Sequence, residues 1–174
     1  GNMGALLYSQ DNLAEAMPYF KDALETQRLV LGKEHRDTLS SISNMGLLLL
    51  QQGKPDEAMP YLMEALELSR RVLGDEHPNT LISINIMGYF LHSQGQSEKA
   101  TAYYIEAIDT RRRVLGDEHP NTLTSISNMA SLLQTRGKYD EALPYFMETL
   151  ETRRRTLGDV HPDTLSSINA VGLF

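Results

Sequence analysis

Nine residues recur along the chain at a fixed interval. Leu73-Gly74-Asp75-Glu76-His77-Pro78-Asn79-Thr80-Leu81 returns as Leu115 to Leu123, as Leu157 to Leu165 and, in looser form, as Leu31 to Leu39, each copy 42 residues from the last. A period of this size marks a stacked-repeat architecture, because one such unit cannot bury its apolar face alone. Gly32, Gly74, Gly116 and Gly158 each follow an apolar helical run, where a residue without a Cβ ends a helix by taking a left-handed conformation. Beyond them, Pro78, Pro120 and Pro162 suit the first position of a new helix, where a missing N–H costs nothing. Leu-Gly is therefore a stop and His-Pro a start. The first copy carries Arg36 in place of proline, so helix entry is expected to be less sharply fixed there.

Each repeat reads as two helices. In helix A, about Thr38 to Gln52, the apolar residues Leu39, Ile42, Met45 and Leu49 recur at steps of three and four. Gly53-Lys54-Pro55 breaks the pattern, as do Gly95-Gln96-Ser97 and Gly137-Lys138-Tyr139. Helix B then carries Ala58, Leu62, Ala65, Leu66, Val72 and Leu73 to the next stop. Pro18, Pro60 and Pro144 fall early in helix B, at a cost of at most one hydrogen bond. The repeats run approximately over 1–35 (truncated), 36–77, 78–119, 120–161 and 162–174 (part of a helix A), all in one array over 1–174. By this register the chain opens and closes inside a helix A and is expected to be a fragment of a longer array. The cut ends should then show weak head-to-tail self-association.

The chain's 41% hydrophobic and 22% charged residues give an ordinary globular composition, and its longest apolar run, Met45 to Leu50, is far too short for a membrane span. No membrane partner is expected. The absence of cysteine removes disulfides, thiolate metal sites and thiol nucleophiles, and a cytoplasmic location is the expectation. A net charge of −7 argues against nucleic acid, whose binders carry a basic face.

Gly46, Ala58, Leu62 and Ala65 correspond to Gly88, Ala100, Tyr104 and Ala107, and to Ala130, Ala142, Phe146 and Thr149. This small-residue signature resembles that of tetratricopeptide repeats. The 42-residue period, with helix B lengthened and closed by Leu-Gly-Asp-Glu-His-Pro, resembles the kinesin light chain variety and its bacterial and fungal relatives. The resemblance covers the whole chain and implies an all-α, right-handed α-solenoid. Independently of it, small residues at Gly46, Ala58 and Ala65 let the two helices approach closely. Thr149 departs from the pattern by placing a branched, polar side chain where Ala is expected.

The histidines at 35, 77, 119 and 161 occupy one position in successive repeats, at least a helix diameter of about 8–10 Å apart. One zinc ion draws its ligands to about 2 Å, so no metal site is expected, and each histidine is expected to cap a helix start or to pack beside its proline. Arg28, Arg70, Arg112 and Arg154 form a basic row, each three residues after an acid, Glu25, Glu67, Asp109 and Glu151, with which it is expected to pair. No phosphate loop, nucleophile elbow or H-E-x-x-H pair is present, so no catalytic residue and no cofactor are assigned.

The informative surface is the arc of helix A opposite its core. At 100° per residue it holds Ser40, Ser43, Asn44, Leu47, Leu50 and Gln51 in one repeat. The first repeat supplies Asn2, the next Ile82, Asn85, Ile86, Tyr89 and His92, and the one after Ser127, Asn128, Ser131 and Gln134. None of these is Asp, Glu, Lys or Arg, which marks a binding surface in a chain this rich in charge. The resemblance implies that helix A lines the concave face and that Asn2, Asn44 and Asn128 match the family's groove asparagines. Ile86 and Ala170 depart from that match. The basic groove residues by which related proteins hold a terminal carboxylate or an acidic motif have no counterpart. The expected function is a non-enzymatic scaffold that binds a peptide segment or partner helix in this groove. The alternatives are a regulatory arm of a larger signalling ATPase or a self-assembly element.

Overall fold

The computed structural model describes residues 6–7, 10 and 12–172. Among them eight helices follow one another: α1 (Leu13–Val30), α2 (Arg36–Gln51), α3 (Pro55–Leu73), α4 (Pro78–Ser93), α5 (Ser97–Leu115), α6 (Pro120–Thr135), α7 (Tyr139–Leu157) and α8 (Pro162–Val171). The described residues contain no strand. The even-numbered helices are the A helices, the odd-numbered ones the B helices. Two compact units result, one ending at Phe90 and one beginning at Leu91.

These four A helices start in the same way. The Nδ1 of His35, His77, His119 and His161 accepts the backbone N–H two residues on, at 3.1–3.2 Å, filling one of the donors a helix start leaves open. His35 has φ −68° and ψ 137°, against −66° and 136° at His119, although Arg36 follows the first and Pro120 the second. The looser entry expected at Arg36 is therefore not found. The imidazole cap sets the geometry, and proline only adds to it.

The stops lie where the Leu-Gly pairs place them, since α3, α5 and α7 end at Leu73, Leu115 and Leu157. Their conformation differs from the expected left-handed helical one. Gly116 has φ 90° with ψ 165°, an extended positive-φ region that is essentially glycine's own.

In the first unit α2 packs on α1 and α3. Leu39, Ile42, Met45 and Leu49 are buried on the A side, and Ala58, Leu62, Ala65 and Leu66 on the B side. Val72, expected in this core, is 39% exposed, because the last turn of α3 runs past the end of α2. In the second unit α6 packs on α5 and α7, and α7 on α8. Thr149 fits there without loss. It is 1% exposed, and its hydroxyl donates to the Tyr145 carbonyl at 2.9 Å, which satisfies the polar atom that Ala would lack.

Candidate functional site

In the first unit the lining comes from α2 and α4, which lie side by side. Asn79 Nδ2 donates to Ser40 Oγ at 2.9 Å, and the hydroxyls of Ser43 and Ser83 meet at 3.0 Å. Ser83 gives its proton to the Asn79 carbonyl at 3.1 Å, so Ser43 is the donor of the pair. This clasp uses part of the expected lining. Ser43 is 3% exposed, and Leu50 and Ile86 are buried as well. A helical wheel places these three opposite the core but takes no account of the flanks of helix A, one of which the next A helix covers at Ser43.

What stays open there is neutral. Asn44 is exposed, Ile82 and Tyr89 are 37% and 42% exposed, and Leu47 and Asn85 are half-buried. Asn2 lies outside the described residues. Asn79 was absent from the sequence-based lining because its place in the repeated phrase gave it only a role in helix entry.

In the second unit Ser131 is exposed, while His92, Ser127, Asn128 and Gln134 are half-buried. The hydroxyls of α6 turn back on their own helix: Thr124 donates to the Pro120 carbonyl, Ser131 to that of Ser127 and Thr135 to that of Ser131, at 2.8–3.0 Å. With its proton so used, Thr135 Oγ1 can only accept from His92 Nε2, 3.3 Å away. Burial lowers the His92 pKa below its ordinary 6.5, so the ring is neutral at neutral pH.

The basic row of the B helices is neutralised, but by partners other than those expected. Arg28 meets Glu64 at 2.6 Å, and Arg112 meets Glu148 at 2.5 Å, each 36 residues ahead on the next B helix. Arg70, Arg112 and Arg154 also hold Asp75, Asp117 and Asp159 at 3.6, 3.2 and 3.0 Å in the loops that follow. The acid three residues back shares a helix face with each arginine, but the long guanidinium reaches the neighbouring helix and the loop instead. Arg71 and Arg155 reach Glu34 and Glu118, both at 2.7 Å.

Two further arginines of the B helices have a role that the sequence did not disclose. Arg111 is 3% exposed, and its Nη1 donates to the Asn121 carbonyl at 2.6 Å and to Ser125 Oγ at 2.7 Å. Arg153 repeats the arrangement with the Asp163 carbonyl and Ser167 Oγ. Both stand where the earlier repeats have Gln27 and Ser69. That exchange along the repeat was the available signal. Among the described residues no cluster of His, Asp and Glu could hold a metal ion, and no helix is long and apolar enough to cross a membrane.

A tetratricopeptide repeat family model matches residues 1–69, 41–100 and 82–139, and a second tetratricopeptide model matches 122–163. No curated protein is similar by sequence. Among solved structures, a Podosopora anserina protein assigned to the kinesin light chains, with nearly identical TPR-like repeats, is 22% identical with a TM-score of 0.78, over 99% of this chain and 82% of that one. BtubC (BKLC) from P. vanneervenii is 21% identical with a TM-score of 0.80, over 98% and 68%. A Rap protein complexed with competence and sporulation factor is 15% identical with a TM-score of 0.83, over 97% of this chain and 45% of that one. At these identities the likeness is one of fold.

Proposed function

Because the chain belongs to the tetratricopeptide repeat family, we propose that it is a non-enzymatic protein-interaction module whose A helices receive an uncharged, extended peptide segment. One observation carries this reading: α4 and α6 contain no Asp, Glu, Lys or Arg, and α2 has only Arg36 and Asp37, at its first two positions. Among the described residues, the remaining formal charge lies on the B helices and loops, apart from Asp163 in the first turn of α8. A face kept neutral in this way suits a ligand held by amide hydrogen bonds and apolar contact. In the first unit Asn44 can both donate to and accept from a peptide backbone, and Ile82 and Tyr89 offer apolar area beside it. In the second, Asn128, Ser131 and Gln134 extend the same chemistry without charge. The Rap structure of similar fold is a complex with competence and sporulation factor. The lack of cysteine fits a cytoplasmic setting.

A peptide selected by display against the protein tests the reading. Its affinity for the wild type, Tyr89→Ala, Asn44→Ala and Arg112→Ala would be titrated at low and physiological salt. Tyr89→Ala is expected to cost about 1–3 kcal/mol and Asn44→Ala about 1 kcal/mol, with little salt dependence. If only Arg112→Ala and salt weaken the complex, the A helices are not the site.

A further inference from the structure

The face of α3 turned away from α2 carries a regular exposed stripe. Asp56, Met59, Pro60, Met63 and Glu67 fall within about 100° of arc, taking 100° per residue. Ala58, Leu62 and Ala65 are buried on the other side, while Met59 and Met63 are 46% and 53% exposed. The two thioethers are one turn apart and form an apolar centre with a carboxylate at each end.

Two further features distinguish this stripe from an ordinary solvated helix face. Neither Asp56 nor Glu67 has an ion-pair or hydrogen-bond partner among the described residues, whereas Glu34, Glu64 and Asp75 of the same unit each hold an arginine. Asp56 also offsets the positive end of its helix, but Glu67 stands too far along α3 for that. In addition, Pro60 has no N–H, so the Asp56 carbonyl loses its helical donor and adds a backbone acceptor beside the carboxylate. The stripe therefore offers acceptors at one end, a flexible apolar centre, and an acceptor at the other end.

The arrangement recurs at the same offsets on α7, in the second unit. Asp140 and Glu151, again without partners among the described residues, flank Leu143, Pro144 and the half-buried Met147. The other two B helices lack it, since α1 places Lys21 at the position of Met63 and α5 has Thr101 and Ala102 at those of Met59 and Pro60.

We propose that these two stripes are docking sites for a basic amphipathic helix of a partner protein, one helix to each stripe. Charge complementarity selects that occupant, because the arginines of the B helices are already held and the free charge on the stripes is negative. From Asp56 to Glu67 the stripe spans about 16 Å, or three helical turns. The partner helix should present apolar residues at i and i+4 with Lys or Arg about three turns apart on either side. Methionine adapts to differing apolar side chains, which suits such a surface. These sites lie on the B helices and do not depend on the peptide reading of the A helices.

The test uses the full chain and an 18-residue synthetic helix of Leu and Lys with its leucines in one stripe, against a counterpart with Glu for Lys. Calorimetric titration should give two Lys-peptides per chain, and Met59→Ser/Met63→Ser should reduce that to one. Asp56→Asn/Glu67→Gln should weaken one site about tenfold and flatten its salt dependence. Bound Lys-peptide should also slow peroxide oxidation of Met59 and Met63 several-fold in the wild type, read by mass spectrometry. Equal binding of the Glu-peptide, or two unchanged sites in Met59→Ser/Met63→Ser, would overturn the proposal. So would oxidation of Met59 and Met63 at the same rate with and without the peptide.

Discussion

Gly46 lies so close to Leu62 that a Cβ built on it would stand 2.8 Å from the leucine Cγ and 3.3 Å from Tyr61 Cβ. Leu62 is 2% exposed and has little room to withdraw. Gly46→Ala should therefore cost about 1–3 kcal/mol by overpacking, despite the better helix propensity of Ala. In a Leu62→Ala background the same change should cost much less, a coupling that urea denaturation of the four variants would measure. Equal costs in both backgrounds would show that the two residues do not share this contact.

Gly116 gives the complementary case, with backbone strain and no clash. A Cβ there would meet nothing within 4 Å, yet φ 90° with ψ 165° is a region that L side chains rarely adopt. Gly116→Ala should cost about 1–3 kcal/mol through the backbone alone. Gly116→Asn should cost about as much, since asparagine tolerates the left-handed helical region but not this one. Recovery of the melting midpoint with Asn would mean that the stop had relaxed to that helical form.

These two glycines also show how far the sequence could be read. Periodicity disclosed the helix pairs, the Leu-Gly stops and the buried face of helix A, because each is a local pattern repeated every 42 residues. The histidine caps were readable for the same reason, being contacts over two residues. Contacts between successive repeats were not. Arg28 has Glu25 within one helical turn, and only the packing of α3 shows that it reaches Glu64. Ser43 belonged to the neutral arc on a helical wheel and is buried against Ser83, which no single-helix argument contains. The neutrality of the A helices was visible in the sequence, but which residues stay open, such as Asn44 and Tyr89, depended on how adjacent A helices meet.

Arg111 is a buried guanidinium that donates to the Asn121 carbonyl and to Ser125 Oγ, both neutral acceptors, and burial brings its pKa down to about 10. The folded state thus binds this proton less tightly than the unfolded chain does, at a cost of about 3 kcal/mol near neutral pH. That cost is relieved as pH rises from about 10 toward the ordinary arginine range, where the unfolded state holds more protons. Gln27 stands at this position two repeats earlier. Arg111→Gln keeps a donor and removes the charge, so stability at pH 7 should rise by about 1 kcal/mol. A fall in the urea midpoint would show that the guanidinium's hydrogen bonds outweigh its desolvation.

His92 brings the same linkage into the physiological range with a defined sign. Its pKa is lowered by burial, so the folded state favours the neutral ring, the form that donates Nε2–H to Thr135 while its Nδ1 carries no proton. The stability it contributes is fully present above the unfolded value of 6.5 and is lost as pH falls through that value toward the lower folded one. Gln134 occupies the equivalent place on α6, so Gln fits a helix A lining. Wild-type and His92→Gln proteins compared by thermal unfolding between pH 7.5 and 5, in steps of about 0.5, should diverge on the acid side, with the wild type losing more stability. Parallel curves would show that His92 titrates alike in the folded and unfolded chains. A wild type that gained on the variant in acid would reverse the sign and place a carboxylate, in effect, beside the ring.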